Sequence, residues 1–239
     1  METTPDPSAD LPVEERAAAT LADLAGWLHV HLNERQTLFR VGPAGVNVLG
    51  LALEPADLPE RPEVDALFLH RALRLGDRFP ELGVLNAHDG FDLQLTTGPN
   101  LRLAGRLGWR EVRPLFWQGK AAGLTAIPPQ GEWRAFHTAL REELRGEDRS
   151  WGPDDPSFVR LALTNAMNPG LLGLAHRLGV NVYLTGEMRP SAQETARSLG
   201  LGVVALGHRR TELWGLRQLA RELEEAFPGL RTEVYAGGR

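Results

Sequence analysis

The chain has 239 residues, of which 42% are hydrophobic and 24% charged, enough for a real buried core and too apolar for wholesale disorder. It contains no cysteine, which excludes disulfides, thiolate zinc sites, iron–sulfur clusters and cysteine nucleophiles; any metal must be held by His, Asp, Glu or water. With 26 basic against 31 acidic residues the net charge is −5, which argues against coating nucleic acid through bulk electrostatics.

Residues 1–12 are polar, acidic and proline-bearing and lack the basic and apolar regions of a signal peptide, so they read as a disordered N-terminus. No apolar run approaches the roughly 18 residues that span a bilayer, which makes a cytoplasmic location the default expectation. After Pro12, the residues Val13, Ala17, Leu21, Leu24, Leu28 and Leu32 recur every three or four positions and predict an amphipathic helix. Val46 to Leu53 reads as a buried strand closed by a proline-rich stretch.

From there one phrase repeats: a glycine, an apolar strand, then a polar residue able to do chemistry. Asp65 to Leu69 ends at His70, Gly83 to Ala87 at His88, Gly179 to Thr185 at Gly186-Glu187, and Gly202 to Gly207 at His208. Gly83, Gly179 and Gly200 lie where a preceding helix would need a left-handed C′ residue. Helix starts are predicted at Asn100, at Asn168-Pro169 and, as a capping box, at Ser191 with Glu194. Two further helices are carried by Trp133, Phe136, Leu140 and Leu144, ended by Gly146, and by Leu216, Leu219, Leu223 and Phe227, ended by Pro228. Glu147 to Pro156 reads as a surface loop. Alternating strands and helices predict an α/β fold with sheets covered by helices.

Ligand sites in such folds gather beyond the carboxyl ends of strands, where His70, His88 and His208 fall. His88 with Asp92 and His208 with Glu212 are four residues apart, which on a helical turn points imidazole and carboxylate the same way, a donor pair suited to zinc, iron or manganese. The spacing alone decides little: 31 acids among 239 positions give seven histidines about one such pair by accident. Histidines satisfied at strand ends and carboxylates capping the next helix explain the same pattern. Neither a P-loop, a dinucleotide-type glycine fingerprint nor a Gly-x-Ser-x-Gly elbow is present. Gly170 to Gly173 could cradle a phosphate, and plain helix entry explains that stretch equally well.

Val182-Tyr183-Leu184-Thr185-Gly186-Glu187-Met188, followed by Gly207-His208-Arg209-Arg210-Thr211-Glu212, resembles the C-terminal signature of the type 2 GTP-cyclohydrolase-I-like proteins, also called NGG-interacting-factor-three-like proteins. Ala87-His88-Asp89-Gly90-Phe91-Asp92 echoes the family's Ala-His-Thr-Asn-Leu-Asp. The family's His-His pair reads Leu69-His70-Arg71-Ala72 here, one histidine short. The resemblance implies a two-lobed α/β family fold with mixed sheets covered by helices, formed as one domain over residues 13–239. It implies a divalent metal (zinc, iron or manganese), as one or two ions, held by His70, Asp92, His208 and Glu212, with Glu212 bridging if two bind. The missing histidine leaves one, two weakly held, or no ion as alternatives, because Arg71 carries a fixed charge that could replace a cation. His88 is expected to shuttle protons and Glu212 to act in catalysis, while Arg71, Arg209 and Arg210 would hold the phosphates of a nucleotide-like ligand. The implied activity is hydrolytic opening of the purine ring of GTP by a homo-hexamer, a trimer of dimers. The alternative is a non-enzymatic ring that binds protein or nucleic acid around a vestigial metal site.

Overall fold

The computed structural model describes residues 17–237. The readings made for residues 1–12, and the first turn expected after Pro12, lie outside them. The first helix begins later than the apolar repeat suggests. Ala19–Thr20 (β1) is extended, and the Thr20 hydroxyl accepts from the Asp23 N–H at 3.0 Å, so α1 runs Leu21–Leu32. Asn33 ends it in the left-handed region at φ 52°. Leu38–Arg40 (β2) follows. The strand expected over Val46 to Leu53 is split: Gly45–Val46 (β3) pairs with β1, and Val48–Ala52 (β4) enters a sheet. Asn47 sits at the break, its Oδ1 accepting from the Ala18 N–H at 2.9 Å.

Ala66–Leu69 (β5) and Gly83–Asn86 (β6) are fully formed strands. Gly83 does not carry a helix C′ conformation, because turns rather than a helix lead into it; it lies in β6, where a Cβ would meet the Leu21 side chain 2.6 Å away. Gly179 and Gly200 do adopt positive φ, 79° and 66°. Asp89–Leu95 (α2) and Leu101–Arg106 (α3) come next, the second capped by Asn100 Oδ1 accepting from Leu103 N–H at 2.9 Å. A hairpin, Arg110–Trp117 (β7) and Lys120–Ile127 (β8), turns through Gln118 and Gly119, both at positive φ. Trp133–Leu144 (α4) forms as expected, but the segment read as a loop contains Arg149–Trp151 (β9), an edge strand. Leu161–Thr164 (β10), Pro169–Arg177 (α5), Val182–Thr185 (β11), Pro190–Ser198 (α6) and Gly202–Ala205 (β12) alternate. Asn168 caps α5 as expected, and Gly170 packs its bare Cα against the Trp117 ring. For α6 the cap is Arg189, since Pro190 already has the φ of a first helical residue and Ser191 falls inside. The last helix, His208–Ala226 (α7), starts directly after Gly207, two turns before its first apolar repeat, and Arg231–Tyr235 (β13) closes the described chain.

Apart from the β1–β3 pair, these strands make two mixed sheets. One has the order β13-β4-β5-β6-β2, parallel except for β2; the other has the order β7-β8-β10-β11-β12-β9, with β10, β11 and β12 parallel. Each is covered by helices, which gives the two-lobed α/β arrangement. α7 belongs to both lobes: Leu216, Leu219 and Leu223 fill the core against the first sheet, and Trp214 fills that of the second. Its close approach to α2 depends on Gly215, where a Cβ would stand 2.8 Å from the Leu95 carbonyl oxygen and 2.9 Å from the Phe91 ring. Gly215→Ala is expected to cost about 1–3 kcal/mol through forced repacking, read as a fall of several degrees in Tm by calorimetry. An unchanged Tm would show that the two helices separate freely.

Candidate metal centre

The carboxyl ends of β5, β6 and β12 converge. His70 follows β5 directly, its N–H donating to the Ala52 carbonyl at 3.1 Å, and its side chain is fully buried. Its Nδ1 donates to the Ala87 carbonyl at 3.0 Å, which fixes the tautomer and leaves Nε2 with its lone pair. That Nε2 lies 3.3 Å from Asp92 Oδ1 and 3.5 Å from Glu212 Oε1. Asp92 arrives on the first turn of α2, whose open N–H groups at His88 and Gly90 are capped from a distance by Glu34 Oε2, at 3.0 Å each. Glu212 arrives on the second turn of α7, with His208 one turn earlier and its Nε2 3.0 Å from Glu212 Oε1. All four expected metal ligands, from three distant stretches of chain, therefore meet in one place.

Two further groups enter. The His88 ring stacks on His70 at a centroid separation of 4.7 Å, and the donor atoms of His70, His88 and Asp92 lie within 4.8 Å of one another, the spacing of a metal-binding triad. His88 thus stands with His70 and Asp92 rather than behind them. Arg71 lays its guanidinium on Glu212, pairing with Oε1, and its Nη2 comes within 3.5 Å of His208 Nε2. It also reaches Glu54 Oε1 at 3.4 Å, a partner the sequence did not point to. Arg209 and Arg210, expected to face a phosphate beside Arg71, are directed elsewhere. Arg209 pairs with Asp57 at 2.6 Å and donates to the Ala236 carbonyl; Arg210 donates to the carbonyls of Leu206 and Arg145 and to Asp148.

The charges are unbalanced in a way that suits a cation. Asp92, Glu212 and Glu54 face one guanidinium, leaving two negative charges when His70 is neutral. Burial resists ionisation of Glu212, but the facing His70 ring, hydrogen bonds from Arg71 and the charge of His208 outweigh it and hold its pKa at about 2. Burial likewise resists a charged His70, yet the facing carboxylates of Asp92 and Glu212 prevail, and the pKa rises to about 9. Two buried donor atoms at the centre, His70 Nε2 and Asp92 Oδ1, have no hydrogen-bond partner. With His70 neutral, its Nε2 lone pair faces a carboxylate oxygen that has no other partner, an arrangement a divalent ion would satisfy, so the residues present fit a metal.

Access comes from two sides. A cavity of about 670 Å³ opens over His70, Arg71 and His88, with Phe39, Leu73 and Arg74 on its walls. A cleft of about 900 Å³ runs between the lobes past Asp92 and His208 to Thr185 and Glu187.

A two-lobed α/β protein with an imidazole–carboxylate cluster between its sheets is the class that fold and site define. A profile of the Duf34/NIF3 (NGG1p interacting factor 3) family matches residues 80–236, and the chain belongs to that family. Proteins named GTP cyclohydrolase 1 type 2 homolog are similar to it: one from Deinococcus radiodurans is 27% identical over 149 residues, 62% of this chain and 57% of that protein. Another, from Pseudomonas aeruginosa, is 30% identical over 151 residues, 62% of this chain and 59% of its relative. The matched stretch thus spans less than three-fifths of these relatives. Among solved structures, the fold resembles protein ybgI, of unknown function, with a TM-score of 0.70 at 20% identity, covering 90% of this chain and 97% of that one. It also resembles reduced HcgD from Methanocaldococcus jannaschii, with a TM-score of 0.67 at 20% identity over 90% and 97% of the two chains. Among the described residues, no helix is long and apolar enough to cross a membrane.

Proposed function

We propose that the chain is a divalent-metal-binding, hydrolase-like protein whose centre holds one ion through His70, His88 and Asp92, with the Arg71 guanidinium in place of a second. The observation that carries this reading is the pair of buried, unpartnered donor atoms, His70 Nε2 and Asp92 Oδ1, 3.3 Å apart. The donor set of imidazole and carboxylate suits zinc, iron or manganese. A bound ion would supply an acidified water and polarise an electrophile.

The protein's own groups do the rest. Ala87 holds His70 in the tautomer that presents Nε2. His88 is half exposed, and its Nδ1 is engaged by Asp89 at 2.9 Å, so Nε2 is the atom left to offer to the ion. Glu212, kept ionised by Arg71, fixes that guanidinium at the cavity floor, where its outward N–H groups would orient an anionic ligand. Relatives bear the name GTP cyclohydrolase 1 type 2 homolog, and the reaction to test is hydrolytic opening of the guanine imidazole ring at C8, read by formate release.

Elemental analysis of the purified protein is expected to give close to one zinc, iron or manganese per chain. Asp92→Asn should weaken that binding by about 100-fold or more, since even outer partners of metal ligands are worth 10–100-fold. Protein that neither carries nor takes up a divalent ion would overturn the reading. The second reading, a ring-shaped binding oligomer with a vestigial centre, draws support from Arg71 sitting on Glu212. It requires a salt-sensitive DNA shift or protein capture with no metal dependence. The hexamer belongs to both readings, and sedimentation equilibrium tests it.

A further inference from the structure

On the far side of His208 from the metal centre, a pocket of about 420 Å³ lies between the end of α4 and the first turns of α7. Four arginines line it, Arg145, Arg209, Arg210 and Arg217, and Asp148 is the one acidic residue among its lining. Two of the four are structural. Arg209 is held by Asp57 and the Ala236 carbonyl, and Arg210 bridges Asp148 at 3.2 Å to the Arg145 and Leu206 carbonyls. Asp148 is thereby engaged and stands against Gly207, where a Cβ would meet its Oδ1 at 2.6 Å.

Arg145 and Arg217 are different. Neither guanidinium makes a hydrogen bond or ion pair among the described residues, and both line the pocket. Burial, then repulsion from Arg145 and Arg221, lowers the Arg217 pKa, and the attraction of Glu143 does not offset this. A half-buried cation beside like charges and without an ion-pair partner is an unfavourable arrangement that a bound anion relieves.

We infer that this pocket is a polyphosphate-binding site, in which Arg145 and Arg217 clamp the di- or triphosphate group of a small molecule against walls fixed by Arg209 and Arg210. Guanidinium forks match phosphate oxygens bidentately, and two free forks call for more than one negative charge on the ligand. A small ligand is favoured over a nucleic acid backbone because the pocket holds only about 420 Å³ and the chain carries a net charge of −5. The site does not depend on the metal-centre reading, since none of the three proposed ligands lines it.

Isothermal titration of the metal-stripped full chain with inorganic triphosphate, in chelator to silence the metal centre, tests this. Saturable binding is expected, weakened at least tenfold in Arg217→Gln and again in Arg145→Gln, and unchanged in Asp92→Asn. Arg145 is exposed at the helix end, so its variant remains folded even if Arg217→Gln does not. Absence of saturable binding would overturn the inference. So would binding that survives both arginine substitutions, binding lost in Asp92→Asn, or an arginine-dependent response to duplex DNA with none to triphosphate.

Discussion

Arg71→His is expected to raise the metal content from one ion per chain to two. The guanidinium lies on Glu212 Oε1, an oxygen that is also 3.5 Å from His70 Nε2 and 3.0 Å from His208 Nε2. A fixed cation there repels a second ion and occupies its volume. Histidine removes the charge, frees Glu212 and His208, and adds an imidazole nitrogen beside them, restoring the pair that the related sequence pattern carries. Elemental analysis reads the stoichiometry, and Arg71→Ala separates removing a cation from adding a ligand. Without metal, either variant leaves Glu212 buried beside the histidines alone. Breaking such a pair costs about 3–5 kcal/mol when fully buried, and less here because Arg71 is 31% exposed. Metal should return that stability to Arg71→His more than to Arg71→Ala. A stoichiometry fixed at one in both variants would show that Arg71 is not what excludes the second ion.

Rising pH should separate the metal-free from the metal-loaded protein: above pH 6.5 the first loses stability, and tightening metal binding offsets that loss in the second. In the metal-free chain the His70 pKa is raised from 6.5 to about 9, so its contribution to stability is complete below pH 6.5 and is lost as the pH climbs through 9. The Glu212 pKa is lowered from 4.5 to about 2, so its contribution is complete above pH 4.5 and disappears as the pH falls toward 2. Metal-free protein should therefore be most stable between about pH 4.5 and 6.5, declining above that by at most about 1.4 kcal/mol per pH unit. A metal needs His70 neutral, so its apparent affinity should rise up to about tenfold per pH unit over the window from 6.5 to 9. Urea titrations with chelator and with metal measure both. Parallel pH profiles would mean that His70 does not bind the ion.

What the sequence disclosed divides along physical lines. Buried parallel strands that end in a polar residue are written as continuous apolar runs, and β5, β6, β11 and β12 stand where those runs are. Asn100 and Asn168 announced helix starts because a cap is a local event. The β7–β8 hairpin was hidden: its turn is Gln118-Gly119 rather than Asn-Gly, and Pro114 argues against a strand unless the strand lies at an edge, as β7 does. β9 escaped notice because a three-residue edge strand is held by its neighbour, not by its own pattern. At the centre, strand-end positions and two i, i+4 spacings nominated His70, His88, Asp92, His208 and Glu212, and only the resemblance to the family motifs turned four of them into a ligand set. Nothing local could assign Glu54 to Arg71 or Glu34 to the start of α2, because those contacts exist only after distant elements pack. Arg209 and Arg210 looked like neighbours of the site because they follow His208, but consecutive helical positions point about 100° apart.

The first sheet takes four strands from the early part of the chain, but the β4 edge is covered by β13, in register from Arg231 opposite Val48. Everything in the other lobe is spliced between them. During synthesis the early strands must wait with an unprotected border until the intervening lobe and β13 have left the ribosome, so the first sheet to be started is closed only after the strands of the second exist.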